Sequence, residues 1–417
     1  MGNDRHAVVH HDPVHHDPVR LSPEGVDQHG ENARLRALGA AVEVELPDGV
    51  TAWAITRHEE LQRLLGDPRV VKDLGHWAAW ERGEVPESWP MLSFVSVRAM
   101  TATDGAAHRR LRGLVAQGFT ARRIESLRPR VVGIVEELLD GLAADAPGPV
   151  DLRERFAYPL PIGVICELLG IPEERREELH ALSSVMTDTT MDRAKVLAIQ
   201  RSMYAGLGSL IAAKREQPGD DLTSDLIAAR EAGDRLTEEE LIGTLLLMFV
   251  AGHNTTLNLI TNAVRALLTH PGQLALARGG ARPWTAVTEE TLRWDAPVGR
   301  FPLRFAVEDI DVGGVVIRKG DAILAAYGAT GRDELLHGPD AERFDIARDS
   351  SRHLAFGHGP HFCLGAPLGR MEAEVALPAL FDRFPDLALA VPAEELVPLP
   401  SIVSNSPRSL PVLLTRG

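Results

Sequence analysis

The segment Phe356 to Gly365, FGHGPHFCLG, concentrates the chemistry of this chain. Cys363 lies there among Gly357, Gly359, Pro360 and Gly365, just ahead of a helix-forming run that starts at residue 366. Glycines let backbone approach a flat ligand closely, and amides turned toward a sulfur hydrogen-bond to it. A helix that begins beside the cysteine presents its positive end to a thiolate and keeps it charged. Those are the requirements of a thiolate that ligates haem iron. A buried free thiol, packed as a small hydrophobe, fits the same loop composition. The segment alone leaves both open.

Three other groups have spacings that suit chemistry. His108 and Arg112 are four apart, so on a helix they share a face. A solvated charged face that includes Arg109 and Arg110 has the same spacing. Glu290 and Arg293 are three apart and read as a helical ion pair, a contact that contributes about 0.2–0.5 kcal/mol at a surface. Asn254, Thr255 and Thr256 follow an apolar run; threonine hydroxyls there bond back to helix carbonyls and open a local kink.

The elements that hold these groups are legible. Thr237 and Glu240 form a capping box, and His270-Pro271-Gly272 is a stop signal, so one long helix lies between them. Some thirty residues span roughly 45–50 Å, and so apolar a helix must cross the core. Residues 42–56 alternate around Pro-Asp-Gly and predict a hairpin; His58 to Leu65 reads as a short helix. Residues 76–100, with Trp77, Trp80 and Trp89, read as loop-rich. Helical spacing fills 104–120 and 121–144 and continues to about residue 270. Strands with Gly-Gly and Lys-Gly turns follow residue 300, and a last helix covers about 366–383. The fold class expected is mainly α with small β-sheets. A single domain is expected over 21–417, after a disordered tail over 1–20 that carries the tandem HHDPV-HHDPV.

Composition excludes several functions. The 417 residues include 44 Lys and Arg against 59 Asp and Glu, a net charge of −15. That balance argues against nucleic acid and against an anionic membrane surface as partner. Cys166 and Cys363 are the two cysteines, too few for a disulfide scaffold or a multi-cysteine metal site. The first twenty residues lack a signal-peptide core, and the apolar run from Leu241 to Gly252 falls short of the ~18–20 residues a bilayer span needs. A cytoplasmic protein is expected.

On four separated motifs the chain resembles the cytochrome P450 family in its soluble bacterial form. Phe356, Gly359, Cys363 and Gly365 match the family's haem-binding pattern, Glu290 and Arg293 its Glu-x-x-Arg helix, and Pro339 to Phe344 the segment whose arginine, Arg343, completes that ion-pair network. Ala251 to Thr256 match the oxygen-activating part of the long helix, which in this fold crosses the core beside the haem.

The resemblance implies haem b with Cys363 as axial ligand to iron and His108, Arg112, Arg304 and His361 as propionate donors. Phe356, Gly357, Gly365 and Ala251 would line the cofactor. Asn254, Thr255 and Thr256 would be the catalytic group, with Asn254 where the family usually has Asp or Glu. An amide positions water but releases no proton at neutral pH. Phe94, Val95, Leu247, Val250, Ala251, Val298 and Arg300 are the expected substrate pocket.

The activity implied is hydroxylation of a hydrophobic small molecule (macrolide, steroid or other secondary metabolite) with O2. Electrons would come from a ferredoxin and ferredoxin reductase, docked by Arg109, Arg110, Arg122, Arg123 and Arg370, to a monomer. Three alternatives accompany this reading: an oxidase that forms a C–C or C–O bond by radical coupling, a haem sensor or carrier ligated by His358 or His361, and a helical scaffold with a free thiol.

Overall fold

The computed structural model describes residues 17–414 apart from Arg98, 146–147, 177–178, 180–187 and 232–235. The histidines of the N-terminal tandem lie outside the described residues. Val19 and Arg20 do not belong to a tail: they pair in parallel with Val44 and Glu45.

The predicted hairpin forms, with Ala41–Glu45 antiparallel to Thr51–Ile55 and Asp48 in the left-handed region at its turn. It enters a six-stranded sheet whose spatial order is Val19–Arg20, Ala41–Glu45, Thr51–Ile55, Ala322–Ala325, Phe301–Ala306 and Val70–Val71. The register between the strands at 301 and 322 shifts between Phe301 and Arg304. Such a bulge re-aims the side chains that follow it, here Arg304. Two smaller sheets complete the β structure.

Helices form the bulk. The long helix spans Glu238–Thr269, and both reciprocal bonds of its capping box are present. Most of its side chains are buried, as its apolar sequence requires. It packs on Pro159–Leu169, Arg193–Glu216, Trp284–Trp294 and Ala366–Arg383. Gly252 makes the first of these contacts close, because a Cβ there would stand 2.7 Å from Ile165 Cδ1. His108 and Arg112 sit on Gly105–Ala116, which is followed by the helix Ala121–Asp145.

Two local expectations need amendment. The stretch 76–100 is less open than its sequence reads: it holds short helices at Ala78–Glu81 and Leu92–Ser96, and Trp77 and Trp89 are fully buried against each other and Phe305. Ala194–Glu216 is a second apolar stretch, 23 residues long and apolar enough by composition to cross a bilayer. In the fold it buries Met203, Leu207 and Ile211 in the main core.

Candidate functional site

The cysteine loop has the geometry its glycines predict. Gly357 and Gly359 have φ of 73° and 69°, and a Cβ on Gly359 would stand 2.7 Å from the Leu65 carbonyl. The Cys363 N–H donates to the Phe356 carbonyl at 2.9 Å. Gly365 caps the helix Ala366–Arg383. The Cys363 side is exposed, while burial of the sulfur raises the thiol's pKa. The backbone N–H groups of Gly365 and Ala366 and the Arg112 guanidinium oppose that rise by favouring the thiolate. The Phe356 ring lies under Arg370, whose guanidinium is 4.5 Å from the ring centre.

The proposed propionate donors come together from three elements. The His108 and His361 rings are 4.2 Å apart, centre to centre. Arg112 donates to the Phe362 carbonyl at 2.6 Å, one residue before the cysteine. His361 Nε2 is 3.5 Å from Asp104 Oδ1. Burial, then the charges of His361 and Arg112, pushes His108 down to about 4. Its Nε2 is buried with no hydrogen-bond partner among the described residues. Arg304 is buried and acts electrostatically on both His361 and Lys72. Lys72 was not singled out by the sequence; a lysine at a loop start carries no signal.

On the long helix, Leu247, Ala251 and Thr255 form an i, i+4, i+8 stripe, with Ala251 exposed and Leu247 and Thr255 half-buried. Val250, beside the stripe, is half-buried against the main core. Thr255 Oγ1 donates to the Ala251 carbonyl at 2.7 Å. Thr256 corrects an expectation. It is 5% exposed and turns toward the Cys363 helix, where it bonds to Glu372 and faces Gly369. A side chain at i+1 on a helix cannot share the face of i.

Asn254 is 8% exposed, with Nδ2 unpartnered among the described residues. It lines a cavity of about 270 Å³ of mixed character, with Asp151, Arg153, Glu154 and Arg408 on it beside Leu257 and Leu399. Arg153 donates to Asn258 Oδ1 at 2.9 Å, and burial lowers its pKa to about 10.

The Glu-x-x-Arg pair is fully buried and bidentate, with Arg293 Nη2 and Nε donating to Glu290 at 2.6 and 2.8 Å. Its expected third member is different. The Arg343 side chain is 75% exposed beside Asp340, and only its carbonyl accepts from Arg293, at 2.7 Å. Arg348, 11% exposed, supplies the guanidinium, 3.5 Å from Glu290 Oε1.

Two pocket residues are also corrected. Arg300 is neither a substrate anchor nor a surface group. It is fully buried, 2.9 Å from Glu31 and hydrogen-bonded to Asn32 and the Gln28 carbonyl. Val95 is 3% exposed inside the core around Trp77 and Trp89. Phe94 is half-buried against Phe301, and Val298 bridges to Ser404. Of the five surface arginines, Arg110 pairs with Glu240, Arg123 with Asp225 and Arg370 with Glu289. Arg109 and Arg122 are exposed.

The residues fit the cofactor that the cysteine loop implies. A thiol open on one side, a partly exposed helix stripe and a His108 Nε2 unpartnered among the described residues, beside buried cations, are what a flat group with two carboxylates requires.

Comparisons with known proteins agree. A family model described as Cytochrome P450 matches residues 284–395. The chain is 43% identical over 394 residues to a 2-hydroxy-5-methyl-1-naphthoate 7-hydroxylase of Streptomyces carzinostaticus, covering 94% of this chain and 96% of the relative. It is 48% identical to the structure of CYP154C4 from Streptomyces sp. W2061, with a TM-score of 0.93 over 96% of this chain and 98% of the other. A structure described as "Testerone bound" CYP154C4, from Streptomyces sp. ATCC 11861, is 47% identical over the same shares, with a TM-score of 0.93. The mainly α fold with small sheets is therefore shared along nearly the whole length.

Proposed function

The chain belongs to the cytochrome P450 family, and from that membership we propose that this haem-thiolate monooxygenase hydroxylates a largely apolar ring compound of macrolide, steroid or related secondary-metabolite type. The observation that carries the substrate reading is the partly exposed stripe Leu247, Ala251 and Thr255, two apolar side chains and one hydroxyl on a mostly buried helix. Substrate sites are mostly apolar with few polar groups. A naphthoate hydroxylase and a steroid complex among the similar proteins support the same class.

Cys363 would hold the haem iron, and His108, Arg112, Arg304 and His361 its propionates. When bound, haem supplies the activation of O2 that inserts one oxygen atom into a C–H bond. The protein's own groups do the rest. The N–H groups of Gly365 and Ala366 bond to the sulfur and moderate its electron donation. The Thr255 hydroxyl can leave the Ala251 carbonyl to donate toward the stripe's open side. Asn254, adjacent to Thr255 but on another face of the helix, can hydrogen-bond water without releasing a proton, and Glu154 and Asp151 are the acids on the cavity it lines.

We assign the electron supply to a ferredoxin and its reductase, with Arg109 and Arg122 as the exposed basic contacts, and the setting to the cytoplasm, with the enzyme working as a monomer. The test is the carbon-monoxide difference spectrum of the reduced protein, followed by substrate-induced Soret shifts with steroids and macrolactones. A strongly red-shifted band, lost in Cys363→Ala, supports the haem reading. An imidazole-type band that survives the substitution overturns it.

A further inference from the structure

Lys72 is one of four lysines in the chain and is 4% exposed. Its ammonium donates to the neutral Leu303 carbonyl at 2.9 Å and stands 5.0 Å from the centre of the Phe301 ring. Two further donors of the ammonium have no acceptor in these contacts. Its charged neighbours are Arg304, which repels it, and Asp104, which attracts it. Asp104 is already engaged: Oδ2 accepts from the backbone N–H of Lys72 and Asp73 at 2.7 and 3.1 Å, and Oδ1 faces His361.

A buried ammonium beside a guanidinium costs several kcal/mol unless an anion compensates. Burial, and then the charge of Arg304, pulls its pKa well below the usual lysine value. Evolution of a stable fold would place an apolar side chain here if packing were the only requirement. Lys72 is instead aimed at the strand that carries Arg304, among the groups suited to carboxylates.

We propose that Lys72 is a fifth donor to the haem propionates, acting with Arg304 on a carboxylate and charged when that carboxylate is in place. The proposal rests on the haem-thiolate reading. It explains why a lysine tolerates this site: the ligand adds a counter-charge where, among the described residues, Asp104 is the attracting acid and is already engaged. It also gives the haem cradle two sides of different structure. His108 and Arg112 come from one helix, whereas Lys72 and Arg304 come from the sheet edge where Val70–Val71 pairs with Phe305 and Ala306.

The experiment compares wild-type holoenzyme with Lys72→Met in haem transfer to excess apomyoglobin. Release from the variant is expected to be about tenfold faster, the loss of one charge-assisted hydrogen bond of ~1.4 kcal/mol. The variant's reduction potential is expected to fall, because a positive charge near the iron is gone. Reconstituted with haem dimethyl ester, both proteins should release it at the same rate, while Lys72→Arg should restore retention of ordinary haem. The apoprotein of Lys72→Met should unfold at no lower temperature than wild type, since a buried charge has been removed. If Lys72→Met does not accumulate as holoprotein, Lys72→Gln carries the same comparison. Equal haem release from wild type and variant, or a difference that persists in full with the ester, overturns the proposal. A wild-type protein without the thiolate-type carbon-monoxide band overturns the haem reading itself.

Discussion

Arg300 Nη1 lies 2.9 Å from Glu31 Oε2, with the two side chains 0% and 7% exposed. The contact joins the helix Gln28–Leu38 to the residue before the strand Phe301–Ala306, and Asn32 Oδ1 accepts from Nε and Nη2 of the same guanidinium. Glu31→Gln would leave a buried cation without its counter-charge. A loss of ~3–5 kcal/mol is expected, read by thermal unfolding. The product distribution should not change. Altered regiochemistry would mean that Arg300 reaches substrate after all.

Arg343 and Arg348 should behave differently. Arg343→Ala removes an exposed side chain and leaves the carbonyl that Arg293 uses, so stability should stay within ~0.5 kcal/mol. Arg348→Ala strips a buried guanidinium from Glu290 and should lower both stability and haem content by a clear margin. Unfolding curves and the haem-to-protein absorbance ratio of the two variants decide between them.

Glu372 links stability to pH. Burial raises its pKa from 4.5 to about 8, and the bond with Thr256 only partly opposes this. Below pH 4.5 the carboxyl is neutral in both folded and unfolded chains. Between 4.5 and 8 the unfolded chain ionises and the folded one does not, so stability falls as pH rises and levels off above about 8. Glu372→Gln should abolish this dependence, worth on the order of a few kcal/mol across the window. Unfolding midpoints of both proteins at pH 5 and 8 check it; parallel curves would sink the assignment.

The two threonines divide cleanly. Thr255→Ala opens the stripe and should lower product formed per electron consumed. Thr256→Ala should leave that ratio near wild type and instead strand Glu372, reducing stability by ~1–3 kcal/mol. Asn254→Asp places a dissociable proton beside the cavity that Glu154 and Asp151 line and should raise the ratio. An unchanged ratio would mean that cavity water already delivers every proton the reaction uses.

Arg109→Glu combined with Arg122→Glu should slow reduction by a ferredoxin severalfold and weaken its salt dependence. Turnover driven by peroxide should be unaffected. Equal losses in the two assays would dismiss these residues as a docking surface.

Much of this was legible because the signals were local. The capping box at Thr237 and Glu240, the hairpin at 42–56 and the Gly-rich approach to Cys363 each depend on a few neighbouring residues, and all appear where the spacing puts them. The misreadings share a physical origin: they concern side chains whose partners lie far along the chain. Arg300 finds Glu31, Arg348 finds Glu290 and Lys72 finds the neighbourhood of Arg304. No periodicity encodes such pairs. Thr256 was grouped with Thr255 against a simpler fact, that adjacent residues on a helix face about 100° apart.

The bare Cα of Gly252 against Ile165 has a consequence for how the cavity can be reshaped. A helix of 32 residues across the molecule behaves as a beam, and this is a bearing point where it rests directly on its support. Exchanging Leu247, Ala251 or Thr255 changes the bulk hung on the beam and leaves its height alone. A methyl at 252 would press on Cδ1 and Cγ1 of Ile165, so either that side chain turns aside or the beam shifts and the stripe residues move with it.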